Sequence, residues 1–224
     1  MIRTPFLDPI GPTMLHQTHL STQHRFPVAD LQPGHLAPIM GSHGRINLAP
    51  VQKGHDHFGT ALQLESQPVA VRIESSSNGV SCTTDCALSA SQERVLEQSL
   101  VRILSLDFEH QAFVEMCKAA APNPQLALAE AGWGRMLRSA TPWEDAVKTL
   151  FTTNASWAYT VGMCERLVDR LGPPSPSGMA SFPSPQQVFA ARDSLADMRF
   201  GYRAQSLCEL AERALGEDSW LTSP

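Results

Sequence analysis

Helix punctuation between Thr141 and Leu215 constrains this chain more than any other feature. Thr141-Pro142-Trp143-Glu144 is a full helix start. Thr141 takes the N-cap. Pro142 sits at the first helical position, where its missing N–H costs nothing, and Glu144 three residues on closes a capping box. Such a cap contributes about 1 kcal/mol. Val147, Leu150 and Phe151 then face inward with Trp143. A second helix is expected from about Ser156, with Val161, Cys164, Leu167, Val168 and Leu171 as its apolar stripe. Gly172-Pro173-Pro174 stops it, and a Pro/Ser-rich loop follows to Ser181. Ser184-Pro185-Gln186-Gln187 repeats the start pattern, with Ser184 as cap and Gln187 closing the box. Gly201 turns the chain into a last helix from Tyr202 to about Leu215.

The first half is patterned differently. Residues 1 to about 36 are rich in Pro, His, Thr and Gln without a sustained period, and are expected to form a loose arm. Leu62 and Leu64, then Val69, Val71 and Ile73, alternate with polar neighbours, the mark of strands with one buried face. Asn78-Gly79 is a hairpin-turn signal, and Val80 and Cys82 begin the return strand. Residues from about 42 to 86 are therefore expected to form a small antiparallel sheet. Helical spacing takes over near Ser89, with Val95, Leu96, Ser99, Leu100, Ile103 and Leu104 on one face. Asp107 is placed to cap a further helix carrying Phe113, Val114 and Cys117, with His110 in its first turn. Gly132-Trp133-Gly134 turns the chain. Sheet first, helices afterwards, implies an α+β fold. The expected division is an arm at 1–36, a β-rich unit at 37–88 and a helical unit at 89–224.

Composition narrows the function classes without choosing one. At 42% hydrophobic and 17% charged, the 224 residues can bury a real core. The formal charge of −5 gives no bulk attraction for nucleic acid. Between Gly132 and Leu215, nine Lys/Arg stand against eight Asp/Glu, so a nucleic-acid role there must rest on particular residues. Five scattered cysteines make neither a disulfide framework nor a zinc site and fit free thiols in a reducing compartment. His55-Asp56-His57 lacks the further ligands a metal needs, so neither metal nor cofactor is expected. His43 is expected to support its local turn. The N-terminal residues lack a signal-peptide pattern, and no apolar run approaches the roughly 18 residues of a membrane helix. An intracellular protein with no membrane association is expected.

Particular segments go further than the punctuation. Pro142-Trp143-Glu144, Asn154 five residues before Tyr159, Gly162-Met163, Leu171-Gly172-Pro173, Phe182-Pro183 and Gly201-Tyr202-Arg203-Ala204 stand in a distinctive order and spacing. In that order they resemble the helix-hairpin-helix (HhH-GPD) DNA glycosylases, in the branch that removes 3-methyladenine and 8-oxoguanine. Ser42-His43-Gly44 before a sheet is similar to the N-terminal domain of bacterial members. The resemblance covers roughly residues 35 to 215. It implies base-excision repair of damaged purines, with damaged double-stranded DNA as partner and a monomeric protein. It also implies three DNA-binding residues. Asn154 would enter the space left by an extruded nucleotide, Tyr202 would wedge into the base stack, and Arg203 would lie beside the orphaned partner base.

The sequence also departs from that family's pattern. Ala155 and Ser156 stand where the eukaryotic 8-oxoguanine enzymes carry further Asn residues, and Tyr159 stands where they carry an Arg that helps read the partner cytosine. The family's Pro-Gly-x-Gly hairpin is not in these 224 residues, nor are its catalytic Asp and Lys. Lys53, Lys148, Glu217 and Asp218 do not match their positions. No residue is therefore assigned a catalytic role. The chain is expected to be a partial or catalytically incomplete glycosylase. The alternatives are a non-catalytic DNA-binding relative, or a helical protein with no DNA role if Tyr202 and Arg203 prove buried against their own domain. Loss of the later helices is expected to leave an apolar patch near Leu207, Leu210 and Leu215.

Overall fold

A computed structural model of the chain describes residues 34–76, 79–120, 122, 124–216 and 221. The proposed arm lies outside these, apart from its last residues. A short apolar helix, α1 (Leu36–Met40), opens the described part and is buried along most of its length. No periodicity announced it, because five residues are too few to display one.

Four strands follow as an antiparallel meander in the order β1 (Gln52–Lys53), β2 (His57–Leu64), β3 (Gln67–Ser76) and β4 (Gly79–Thr84). The register pairs Phe58 with Ile73 and Leu62 with Val69, so the alternating apolar residues share one face. Ser76 pairs with Gly79, and the turn between them, including Asn78, lies outside the described residues. The apolar face packs on α1 and on α2 (Ala90–Ile103), through Leu96, Leu100 and Ile103. Ser89 and Gln92 form a complete capping box at the start of α2.

The second face of the sheet is buried as well. Ala61 and Ala70 are small enough for Met179, from the Pro/Ser-rich loop, to sit on them. Asp85 fastens that loop, accepting from Ala70 N at 3.0 Å and from Ser177 N at 2.9 Å. Gln63 adds a bond to the Phe182 carbonyl.

The next helix, α3, runs His110–Ala119 with no side-chain cap. The expected cap, Asp107, pairs instead with Arg138, a stronger partner for a carboxylate than an amide. His110 is buried, with Nε2 against the Trp133 carbonyl at 3.1 Å. A short α4 (Leu126–Glu130) packs on α3.

The helical core is built from α5 (Pro142–Thr152), α6 (Trp157–Leu171), α7 (Pro185–Ala190) and α8 (Arg203–Leu215). Trp143, Val147, Phe151, Leu167, Val188 and Leu207 meet inside it, and Phe151 stacks on Phe200 with ring centroids 5.0 Å apart. Each such buried apolar side chain contributes roughly 1.5–3 kcal/mol. Trp143 also donates Nε1 to the Pro183 carbonyl at 2.8 Å. The expected apolar patch on α8 is largely absent. Leu207 is fully buried and Leu210 half-buried, leaving Leu215 at 40% exposure. The stripe packs on α5, α7 and the 3-10 segment Arg192–Met198, in a cluster that also includes Leu221. Together the sheet and these helices give an α+β fold.

A second cap differs from its sequence reading. Thr141 accepts from Glu144 N at 3.3 Å, as expected of an N-cap. The Glu144 carboxylate does not return the bond. It turns inward to Arg45 Nη2 at 2.9 Å and Lys148 Nζ at 2.6 Å. Two buried cations outweigh one backbone amide. Arg45 belongs to a 3-10 turn (Gly44–Asn47) capped by the His43 ring, which accepts from Arg45 N at 3.1 Å.

Candidate nucleic-acid interface

Two tight turns meet at one end of the helical core. The first joins α5 to α6. Thr153 is the C-cap of α5, and Asn154 follows with φ 46°. Asn tolerates that left-handed conformation better than most residues, so the chain can reverse here without glycine. Ser156 then caps α6, accepting from Tyr159 N at 3.3 Å. The second turn precedes α8. Arg199 and Gly201 both have positive φ, 57° and 62°, while Phe200 between them points into the core.

The three residues implied by the family resemblance come together where these turns touch. Tyr202 is 59% exposed. Its hydroxyl donates to the Thr153 carbonyl at 3.3 Å and lies 3.5 Å from Asn154 Nδ2, which donates to it. Hydrogen bonding to the side chains of Thr153, whose hydroxyl lies 3.4 Å away, and of Asn154 draws the Tyr202 pKa below the usual phenol value. Arg203 behaves differently. It is 4% exposed, with Nη2 donating to the Thr153 carbonyl and Nη1 to the Phe200 carbonyl. Its guanidinium lies 4.5 Å from the centroid of the Tyr202 ring. Arg203 therefore braces the exposed ring from beneath, and this geometry does not present its fork to a base. The condition set for a protein with no DNA role, both residues buried, is met by Arg203 and not by Tyr202.

Tyr159 and Arg166 complete this surface. Tyr159 is 40% exposed and donates its hydroxyl to the Arg199 carbonyl at 2.6 Å. Arg166 stacks on the same ring, 5.7 Å from its centroid, and donates to the carbonyls of Met198 and Arg199. These bonds hold the second turn in place and leave the Arg199 side chain exposed. The sequence offered a partial sign of this: Trp157 and Tyr159 fall outside the apolar stripe of α6, so their rings were not needed for the core. Nothing local marked Arg166 or Arg199.

A cavity of about 490 Å³ opens between the 3-10 turn and α5. Its wall includes His43, Arg45, Arg138, Lys148, Thr152 and Trp157. The Trp157 indole lies so close to Gly44 that a Cβ there would stand 2.7 Å from the ring, so a larger residue would have to displace the indole. Behind the cavity, burial and then the nearby Arg45 pull the Lys148 pKa down to about 8, with Glu144 opposing them. Burial acts to raise the Glu144 pKa, but Lys148 and Arg45 together hold it below the ordinary value. Asp145, also in the wall, accepts from Arg102 at 2.8 Å and from Ser139 N at 3.0 Å. The carboxylates here are thus engaged with the protein's own cations and amides.

Elsewhere, His57 Nδ1 lies 3.0 Å from Asp56 on a turn of the sheet. Among the described residues no group of three His, Cys, Asp or Glu side chains could hold a metal ion. None of their helices is long and apolar enough to cross a membrane.

No protein-family model matches the sequence, and no curated protein matches it. Solved structures do match its fold. A 3-methyladenine DNA glycosylase from Archaeoglobus fulgidus superposes with a TM-score of 0.67 at 16% identity, over 81% of this chain and 64% of that one. MBOgg1, solved in complex with a low-affinity DNA ligand, superposes with a TM-score of 0.52 at 14% identity, over 75% of this chain and 66% of that one. The chain spans a little under two thirds of either protein. The α+β architecture described above is that of the DNA glycosylase fold.

Proposed function

We propose that these residues are the DNA-distorting part of an HhH-GPD-type damaged-purine glycosylase, binding damaged double-stranded DNA without cutting the glycosidic bond. The observation that carries this reading is the exposed Tyr202 ring, tied to Asn154 and braced by buried Arg203. Extruding a nucleotide costs a few kcal/mol in lost pairing and stacking. A planar ring that enters the stack recovers roughly 1–3 kcal/mol per base. Asn154 beside it is placed to occupy the vacated space. The protein acts as an intracellular monomer, with residues 37–88 and 89–224 as its two units and 1–36 as an arm.

The test uses the 224-residue chain in excess over duplexes carrying 8-oxoguanine, hypoxanthine or an alkylated adenine. Free base and binding are measured together. Salt-sensitive binding without base release is expected, with Tyr202→Ala weakening binding about tenfold or more. Base release would show that a catalytic carboxylate lies within these residues. Binding that ignores Tyr202→Ala would remove the wedge from the account.

A further inference from the structure

A cavity of about 330 Å³ lies on the seam between the sheet and the helical core, walled by β2, α2 and the first turns of α5 and α7. None of its lining residues belongs to the surface around Tyr202 and Asn154. Leu62, Val95, Ala140, Phe182 and Pro185 form its apolar wall. A recess of this size, apolar with a few fixed polar groups, suits a small organic molecule.

Two polar side chains in the wall are more than nine-tenths buried and keep an atom without a partner. Ser99 is 4% exposed, and its hydroxyl makes no hydrogen bond among the described residues. A serine in mid-helix can return its proton to the carbonyl one turn back, and this one does not. Glu144 is 6% exposed. Arg45 and Lys148 both donate to its Oε1, and among the described residues none donates to Oε2. Buried polar atoms without partners are costly, and they mark places where a ligand or an ordered water completes the bonding.

The wall also selects by charge. Glu144 already has two cations against it, so a cationic ligand would meet their repulsion. No Lys, Arg or His lines the cavity, and exposed Glu65 adds a second carboxylate, which disfavours an anion. What fits is a neutral molecule with a flat apolar body, a donor for Oε2 and an acceptor for the Ser99 hydroxyl. A cyclic amide has all three: its N–H donates and its carbonyl accepts.

We propose that this cavity binds a small neutral heterocycle of the cyclic-amide class, its N–H donating to Glu144 Oε2 and its carbonyl accepting from Ser99. Such a ligand touches the sheet, α2 and the helical core together, so its binding raises the melting temperature as well.

The experiment titrates the isotope-labelled 224-residue chain with 2-pyridone and 2-quinolone and follows its amide and indole NMR signals. At least one of the two is expected to bind saturably, with a Kd of about 1 mM or tighter. The shifts should centre on Val95, Ser99 and the Trp143 indole, whose N–H is fixed on the Pro183 carbonyl in the same wall. 1-Methyl-2-quinolone lacks the N–H and is expected to bind roughly tenfold more weakly. The 1-methylquinolinium cation and the quinoline-2-carboxylate anion are expected to bind no better than it does. These probes test the carboxylate from the ligand's side, because Glu144→Gln would also disturb the ion pairs. Ser99→Ala is expected to weaken binding by roughly two- to tenfold, and Val95→Phe, which fills the cavity, to abolish it. Circular dichroism confirms that each variant is folded before its binding is read. No saturable binding by either heterocycle would show that the cavity holds water alone and would overturn the proposal. Equal binding of the methylated compound, or a preference for a charged one, would overturn it too. So would binding that survives both substitutions, since the ligand would then sit elsewhere.

Discussion

Arg203 carries a full charge, yet almost none of it faces solvent. Its planar fork spans the Thr153 and Phe200 carbonyls while its flat face supports Tyr202. A lysine keeps the charge but cannot supply both the fork and the stack. Arg203→Lys is therefore expected to destabilise the chain by about 1–3 kcal/mol, measured by urea unfolding. The salt dependence of DNA binding should not change, because the charge is not at the surface. A slope reduced by about one would show instead that Arg203 reaches a phosphate. Asn154, Tyr202 and Arg203 were singled out together by the family resemblance, and the structure brings the three close to one another. The sequence did not reveal that Arg203 would be buried, since the carbonyl that holds it belongs to Thr153, fifty residues away in sequence. Burial of a charged side chain depends on a distant partner, which no local pattern encodes.

Helix boundaries in the second half were legible because caps act locally. Ser184 and Gln187 form the box their order implies, and Ser156 caps α6 where the pattern begins. The side chain of Glu144 escaped its box because Arg45, in a turn with no periodicity, offered a better partner. Gly172 is another case where the place was legible and the reason was not. It ends α6 with an ordinary negative φ of −71°, so no left-handed turn requires glycine there. The requirement is space: a Cβ would stand 2.2 Å from the Ser181 carbonyl and 2.5 Å from that of Val168. Both obstacles are backbone and cannot rotate away. Gly172→Ala must displace the loop that carries Met179 onto Ala61 and Ala70. A loss of about 1–3 kcal/mol is expected by chemical denaturation, although alanine favours helix by up to ~1 kcal/mol. An unchanged or raised stability would mean that this loop moves freely and does not hold the second face of the sheet.

At the scale of the whole molecule, an ion network ties the 3-10 turn beside the sheet to the helical core. Glu144 receives Arg45 from one side and Lys148 from the other, and Lys148 also reaches the Leu48 carbonyl at 3.5 Å. The α+β class was legible from the switch in period; this seam was not, since the Arg45–Glu144 pair that closes it joins residues 99 positions apart. Its pH dependence follows from the direction of each shift. The Glu144 pKa is held below its ordinary 4.5 in the fold, so its contribution is complete above that value and is lost as pH falls through the lowered one. Protonation leaves Lys148 a buried cation without a carboxylate, and Arg45 with Asp145 alone at 3.7 Å. Lys148 runs the other way. Its pKa drops from 10.5 to about 8, so the unfolded chain binds more protons between those values, and this residue's contribution rises with pH across that window. The melting temperature is therefore expected to fall as pH is lowered below 4.5. Glu144→Gln should cost about 3–5 kcal/mol near neutrality and flatten the acid limb. If Glu144→Gln melts like the parent at every pH, the network does not hold the two cores together, and the other links do so: Leu48 in the helical core, Gln63 on the Phe182 carbonyl, and Arg102 on Asp145.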